Sequence, residues 1–321
     1  MKSLNPFKLK IIFIFCFFTL GLILNAFLNS YIQALAISFL INSMMAMSLN
    51  FITGVANQFS LGSAGFIAVG AYTSAVLTKE VFSDHWYFIP LTALIGAGVA
   101  AFAGFLVSLP SFKLKGDYLA IVTLGFAEIV RVTFLNWNYV GGARGYNAIV
   151  KWPNFMTAYF ATGVAVIITL YVLYSLKISW FGRNLWALNE DEIAAEVMGA
   201  NIAKNKRTAF LISSFFGGLA GGFYAHNMGY ISPGSFGFLL SVQVLIITVL
   251  GGLGSISGSI IASVILTALP ELLRSLPTGG IDVRMIVFPI LLILMMIVRP
   301  EGLFGKKEIW DFFKKDNLVK K

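Results

Sequence analysis

The residues best placed to do chemistry form a short acidic stretch between two apolar segments, Asn189-Glu190-Asp191-Glu192-Ile193-Ala194-Ala195-Glu196-Val197-Met198-Gly199. Asn189 is positioned to accept from the first free amides of a helix and Glu192, three residues on, to reach back to the Asn189 amide, while the acidic cluster complements the positive helix end. Gly199 supplies a left-handed stop. The chemistry expected is recognition rather than catalysis. Ile193, Ala194, Val197 and Met198 make an apolar stripe too small to fold by itself, so the helix needs a partner to pack on.

Other reactive residue types are sparse. The two histidines, His85 in a loop and His226 near the end of an apolar run, cannot form a metal cluster and read as interfacial residues, and no Ser/His/Asp set is suggested by order or spacing. Cys16 sits in an apolar run with no partner for a disulfide and reads as a buried thiol. A phosphate-binding loop of the form G-x-x-x-x-G-K-[ST] is missing; the nearest approach, Gly302 to Lys306, lacks its first glycine. An enzyme, a metal and a bound cofactor are therefore not expected.

Polar residues inside apolar runs are the remaining candidates. Glu128 and Arg131 lie three apart, on one helix face, where each charge costs roughly 2.5–3.5 kcal/mol at membrane depth, so they should pair. They read either as the lining of a transport path or as an ion pair that fixes helix packing, with the second carrying more weight. Glu271 and Arg274 repeat the spacing at a span end, where snorkelling suffices. Glycine gathers at 60–66, 217–222 and 251–254. The middle cluster reads as close helix packing. The outer two border breaks at Asn57-Gln58 and at 255–258, and exposed backbone at membrane depth survives only beside a cavity or under protein. Asn57, Gln58, Ser60, Gly62, Ser63, Gly251, Gly252 and Gly254 thus join Glu128 and Arg131 as translocation-path candidates.

The elements that must carry these residues are membrane helices. With 58% apolar residues, 12% charged and 30 Phe in 321 residues, the chain is an integral membrane protein and leaves no room for a soluble enzyme domain. The expected fold is all-α, a polytopic membrane helix bundle of about ten spans, near 11–28, 33–53, 62–78, 88–109, 118–136, 155–176, 207–229, 237–253, 257–275 and 283–298. The runs at 62–78, 237–253 and 257–275 are short and Gly-rich, hence candidates for broken or half-length helices. The run at 11–28 reads as a retained first span, not a cleaved signal.

The net charge of +9 falls in short loops and at the termini, so it indicates topology and not nucleic acid. With ten spans and both termini cytoplasmic, seventeen basic residues collect inside. Lys79, Arg144, Lys151, Arg274 and Arg284 fall outside, and Arg131 lies within a span. The 189–199 helix then faces the cytoplasm. The stretch 301–321, with Trp310, Phe312 and Phe313, reads as a helix on the anionic inner leaflet or as a frayed basic tail.

Several motifs together resemble a known family. They are residues 116–131 (Gly-Asp-Tyr-Leu-Ala-Ile-Val-Thr-Leu-Gly-Phe-Ala-Glu-Ile-Val-Arg), the 189–199 stretch, Phe223-Tyr224-Ala225-His226, Ile231-Ser232-Pro233, Val249-Leu250-Gly251-Gly252-Leu253-Gly254-Ser255 and Arg299-Pro300-Glu301-Gly302-Leu303. In order, from about 50 to 305, they resemble the LivM-type permease subunits of branched-chain amino acid ABC importers.

The resemblance implies a permease domain over 1–305 and a basic cytoplasmic tail over 306–321, in a bacterial or archaeal cytoplasmic membrane. It implies a second permease subunit, two cytoplasmic ATPase subunits, an extracytoplasmic substrate-binding protein and lipid as partners. A cytoplasmic coupling segment is implied at 189–207, with Glu190, Asp191, Glu192, Ile193, Ala194, Ala195, Glu196, Val197 and Gly199 making the ATPase contacts. One departure bears on substrate. Many relatives have Ser-Leu-Gly-His-x-x-Phe where this chain has Ser60-Leu61-Gly62-Ser63-Ala64-Gly65-Phe66. The expected cargo is a branched-chain or other small apolar amino acid, with urea or short amides as the alternative within the family. A self-contained channel or secondary transporter is the alternative from another class, disfavoured by the spare cytoplasmic helix and the few intramembrane carboxylates.

Overall fold

Long uncharged runs give the backbone no partner in lipid but itself, so each must close its hydrogen bonds within a helix. The computed structural model describes residues 21, 29–111, 114, 116–274, 301–305 and 307–310. Among the described residues every regular element is helical, and the only β-type pairing is an isolated bridge between Tyr146 and Ile231. Apart from Gly21 and Lys307, the expected spans near 11–28 and 283–298, Cys16 and the basic terminal residues lie outside the described residues.

Helix α1 (Ser30–Asn50) ends in a π-helical turn over Phe51–Val55. Then follow α2 (Ser63–Val76), α3 (Ile89–Ser111), α4 (Asp117–Asn136) and α5 (Phe155–Ile178). Two short helices, α6 (Trp180–Glu190) and α7 (Glu192–Val197), precede the longest, α8 (Ile202–Met228). The last two are α9 (Phe238–Gly251) and α10 (Ile256–Arg274).

Among the described residues five helices are long and apolar enough to cross a membrane: Ser30–Val55, Trp86–Pro110, Asp117–Asn136, Phe155–Ile178 and Ile202–Met228. The count of about ten is not reached among the described residues, and two departures account for much of the gap. Helix α2 has 14 residues and runs on through a π-helical turn over Leu77–Val81 that carries Lys79 and Glu80, so the run does not stay apolar over the length needed to cross a hydrocarbon core of about 30 Å. Helices α9 and α10, expected as separate spans, are bent by 118° at a four-residue break and amount to a single broken span or a re-entrant loop. The bend sits where Gly252 and Gly254 take φ of 108° and 95°, a region costly for residues with a Cβ.

The core is centred on α8. It packs on α2, α3 and α1, and α1 in turn packs on α5 and α10. The middle glycine cluster makes this possible, as expected: an added Cβ on Gly221 would lie 2.0 Å from the Ile67 carbonyl oxygen, and one on Gly218 2.3 Å from Ala100 Cβ. Gly70 meets the same helix from the other side, with the Gly218 carbonyl oxygen 2.1 Å from its would-be Cβ. The central spans are accordingly buried over 72% of α1 and α8, whereas α4 is 28% buried.

The strip at 301–310 departs from expectation. Instead of lying on the bilayer surface, its described residues pack into the bundle: Leu303 N donates to Leu250 O at 2.8 Å, and Glu308 is 2% exposed. A carboxylate this deep needs partners within the chain, and it has them.

Candidate functional site

The acidic segment lies at one end of the bundle, after Ser179, an extended residue that separates α5 from α6. The cap falls two residues later than the sequence suggested. Asn189 is already inside the last turn of α6, so its amide is not a free helix start. Asp191, extended at φ −152° and ψ 112°, caps α7 instead, its Oδ1 accepting from Ile193 N at 2.9 Å and Ala194 N at 3.1 Å. Glu192, expected to reach back to residue 189, accepts from Lys206 Nζ in the second turn of α8 at 2.5 Å. That pair is largely shielded, with side chains 10% (Lys206) and 23% (Glu192) exposed.

Gly199 ends the helix at φ 90°, its N–H bonded to Glu196 O and the next amide to Ala195 O. Ala195 is buried. Ile193, Val197 and Met198 are 76%, 82% and 87% exposed, and Glu190, Asp191, Ala194, Glu196 and Gly199 are exposed around them. The result is an apolar ridge with an acidic border, fixed to the bundle by an ion pair but itself uncovered.

The path candidates fall in three separate places. The first break runs through Asn57, exposed and left-handed at φ 51°, and Gln58, 5% exposed with its Nε2 unbonded. It is tied to α4 by Leu61 N on Thr123 Oγ1 at 3.0 Å and to α9 by Ala64 N on Ser241 Oγ at 3.1 Å. Gly62 is required there, since a Cβ would meet Thr123 O at 2.6 Å. Beneath the break, Ser60 and Ser63 join Ser48, Ser213 and Ser214 around a cavity of about 10 Å³, the scale of one water. Ser63 Oγ is buried and unbonded beside it.

Glu128 and Arg131 pair as expected, Arg131 Nε donating to Glu128 Oε2 at 2.7 Å. They do not touch the serine cavity. Their side chains stay 38% and 30% exposed, on the least buried of the five spans.

The second break is the α9–α10 bend, where Gly251, Gly252 and Gly254 are all buried. Here the structure adds two residues, Asn50 and Glu308, that were not among the candidates. Asn50, 0% exposed, donates through Nδ2 to Gly252 O (3.0 Å), Ser255 O (2.7 Å) and Ser259 Oγ (2.7 Å), and accepts from Gly254 N at 2.7 Å. Glu308 accepts from Ile256 N and Ser257 N at the start of α10, from the Ser257 hydroxyl, and from Lys177 Nζ at 2.5 Å. The only signal for Asn50 was an amide in an apolar run, one it shares with Asn42, and Glu308 had none, because its partners lie far off in sequence.

The far end of the bundle is stitched by main chain. Tyr146 N donates to Ile231 O at 2.8 Å, and Lys79 Nζ to Asn147 O at 3.2 Å. Burial, then the Glu80 carboxylate that accepts from it, holds the Tyr146 hydroxyl well above the usual tyrosine range. His226, expected at the interface, is instead fully buried, Nδ1 lying 2.7 Å from Val150 O and Nε2 3.0 Å from Ser74 Oγ. His85 is exposed and stacked on Tyr87.

Comparison with known proteins gives this arrangement a family. A family model described as branched-chain amino acid transport system / permease component matches residues 31–296. LivM of Salmonella typhimurium, a high-affinity branched-chain amino acid transport system permease protein, is 37% identical over 290 residues, covering 81% of this chain and 66% of the relative. LivM of Escherichia coli gives the same figures. LivH of Escherichia coli, also a permease protein of such a system, is 25% identical over 289 residues, 83% of this chain and 92% of the relative. The chain thus spans just under two thirds of the length of the two LivM proteins. No solved structure matches it. The family match runs from α1 through the α9–α10 bend and takes in both breaks and the acidic segment, so the chain belongs to the family of branched-chain amino acid transport permease components.

Proposed function

We propose that this chain is a permease subunit of an ATP-binding-cassette importer that moves branched-chain or other small apolar amino acids across the bacterial or archaeal cytoplasmic membrane. The observation that carries the reading is α7: a capped, ion-paired helix that turns three large apolar side chains into water inside an acidic border. A ridge of this kind suits an apolar hollow with a basic rim, here that of a cytoplasmic ATPase subunit. Two such subunits, a second permease and an extracytoplasmic binding protein complete the assembly, with both termini of this chain cytoplasmic. Closure of the ATPase pair moves α7, and the bundle rocks so that a path opens to one side at a time.

The test is reconstitution of the chain in vesicles with the ATPases, second permease and binding protein encoded beside it. ATP-dependent leucine accumulation is expected; flux through the chain alone, without nucleotide, would refute the proposal. A second reading, a permease for urea or short amides, is favoured by Ser63, whose unbonded hydroxyl borders a serine-lined cavity. Identifying the ligand of the cognate binding protein separates the two.

A further inference from the structure

We propose that Glu308 is a positioning residue for transport, a carboxylate that joins the end of α5 to the start of α10 and so carries displacement of the α6–α7 segment to the α9–α10 bend. This rests on the coupling role proposed for α7.

Lys177 stands one residue before the end of α5 and two before Ser179, where the chain turns into α6. Force on α7 can reach the bundle by that turn, through the Glu192–Lys206 pair, or along the short link into α8. The Lys177 ammonium does not end in water: it donates to Gly254 O at 2.6 Å and to Glu308 Oε1 at 2.5 Å. The same carboxylate takes the first amides of α10, Oε1 accepting from Ile256 N at 3.2 Å and Oε2 from Ser257 N at 2.9 Å. Helix α6 also reaches the bend directly, since Trp186 Cη2 lies 3.3 Å from a would-be Cβ on Gly254. The strap continues beyond Glu308, with Ile309 N on Ser257 Oγ at 3.0 Å and Trp310 Nε1 on Tyr174 Oη of α5 at 3.1 Å.

The physical argument is one of stranded charge. Glu308 is 2% exposed and Lys177 has a side chain 10% exposed. Sliding α5 past α10 would part a buried ammonium from a buried carboxylate and uncover helix-terminal amides at the same time, a cost that rises steeply with separation in a dry site. The two helix ends are therefore expected to move together. Asn50 holds the opposite side of the bend to α1, so displacement at Lys177 becomes a change of angle at 252–255 and not a translation of the whole pair.

The experiment uses the complete transporter in vesicles and reads leucine taken up per ATP hydrolysed. Glu308→Gln should keep ATP hydrolysis and lower that ratio by about tenfold or more, the scale expected when a charge-assisted bond is lost. The double variant Lys177→Met with Glu308→Gln removes both charges, so assembly should return to the wild-type level while the ratio stays low. A merely structural role predicts that both recover. A wild-type ratio in either assembled variant overturns the inference.

A third measurement leaves the pair intact. Spin labels at Ala187→Cys or Val264→Cys, each paired with Phe102→Cys on α3, report nucleotide-driven movement of the α6–α7 segment and of α10. Both distances should change together, and movement of the α6–α7 segment without α10 overturns the inference. Loss of ATP-dependent uptake in the wild-type assembly would instead refute the proposed function.

Discussion

Gly221→Ala tests whether the middle of the bundle is built on backbone contact. A Cβ at this position would lie 2.0 Å from the Ile67 carbonyl oxygen, 2.9 Å from its carbonyl carbon and 3.1 Å from Ala71 N. A tolerable carbon–oxygen approach is about 3.3 Å, so α8 must back away from α2 by about 1.3 Å along that line. The obstacle is main chain and cannot rotate aside. Retreat is also blocked, because α3 crowds the adjacent Gly222, whose own would-be Cβ lies 2.8 Å from Ala93 Cβ.

Overpacking costs about 1–3 kcal/mol, and the upper end applies where neither side can relax. Alanine's better helix propensity offsets about 1 kcal/mol of this, leaving a net loss of about 2 kcal/mol. Gly98 on α3 and Gly125 on α4 are the controls, since an added Cβ there meets nothing within 4 Å. Their alanine variants should be neutral or stabilised by up to about 1 kcal/mol. Reversible unfolding in mixed detergent micelles, followed by circular dichroism, measures all three. If Gly221→Ala falls within about 0.5 kcal/mol of the controls, the reasoning from backbone contact is refuted.

Three further outcomes follow from the same geometry. Replacing Ile193 and Val197 together with Asp should abolish copurification of the ATPase subunits while leaving bundle stability within about 0.5 kcal/mol, because both side chains are more than three-quarters exposed; retained copurification would dismiss α7 as the docking element. Asn50→Leu strands the Gly254 amide, while the Gly252 and Ser255 carbonyls each lose one bond but keep another, from Ser255 N and from Ser259; at about 1–3 kcal/mol for an unmet buried group it should lower unfolding stability by about that much, and a loss under about 0.5 kcal/mol would mean the bend is held elsewhere. Replacing Glu128 and Arg131 together with Leu separates the two readings of that pair: a structural ion pair predicts unchanged or raised stability with uptake preserved, whereas a path lining predicts uptake lost with stability intact.

What the sequence made legible was what local chemistry decides. The apolar stripe of α7, its glycine stop and the Glu128–Arg131 pair depend on residues within a turn or two of one another, and all three stand as expected. The cap shows where that reach ends: Asn189 and Asp191 are both good cap residues, and the choice fell to Asp191 because the preceding chain from Trp180 was already helical, which the spacing around 189 does not reveal. The span count is not confirmed among the described residues for a related reason. An apolar run of 14 or 19 residues looks alike whether it crosses, stops halfway or turns back, and at α9–α10 the decision is made by Asn50 and Glu308, about 200 and 50 positions away in the chain. His226 was misplaced because its burial depends on Ser74, Thr78 and Val150, which reach it from two other parts of the chain.

The glycine contacts among α2, α3 and α8 also restrict how this protein can move. With carbonyl oxygens standing where methyl groups would be, the three helices share a single register. A slip of α8 by one turn in either direction would put Ala225 where Gly221 now sits, or Ser214 where Gly218 now sits, and drive a Cβ into the Ile67 carbonyl or the Ala100 methyl. Shear within the trio is thereby forbidden, and the three turn as one axle. Helices α4 and α9 pack on this axle through α2, whereas α5 and α10 rest chiefly on α1.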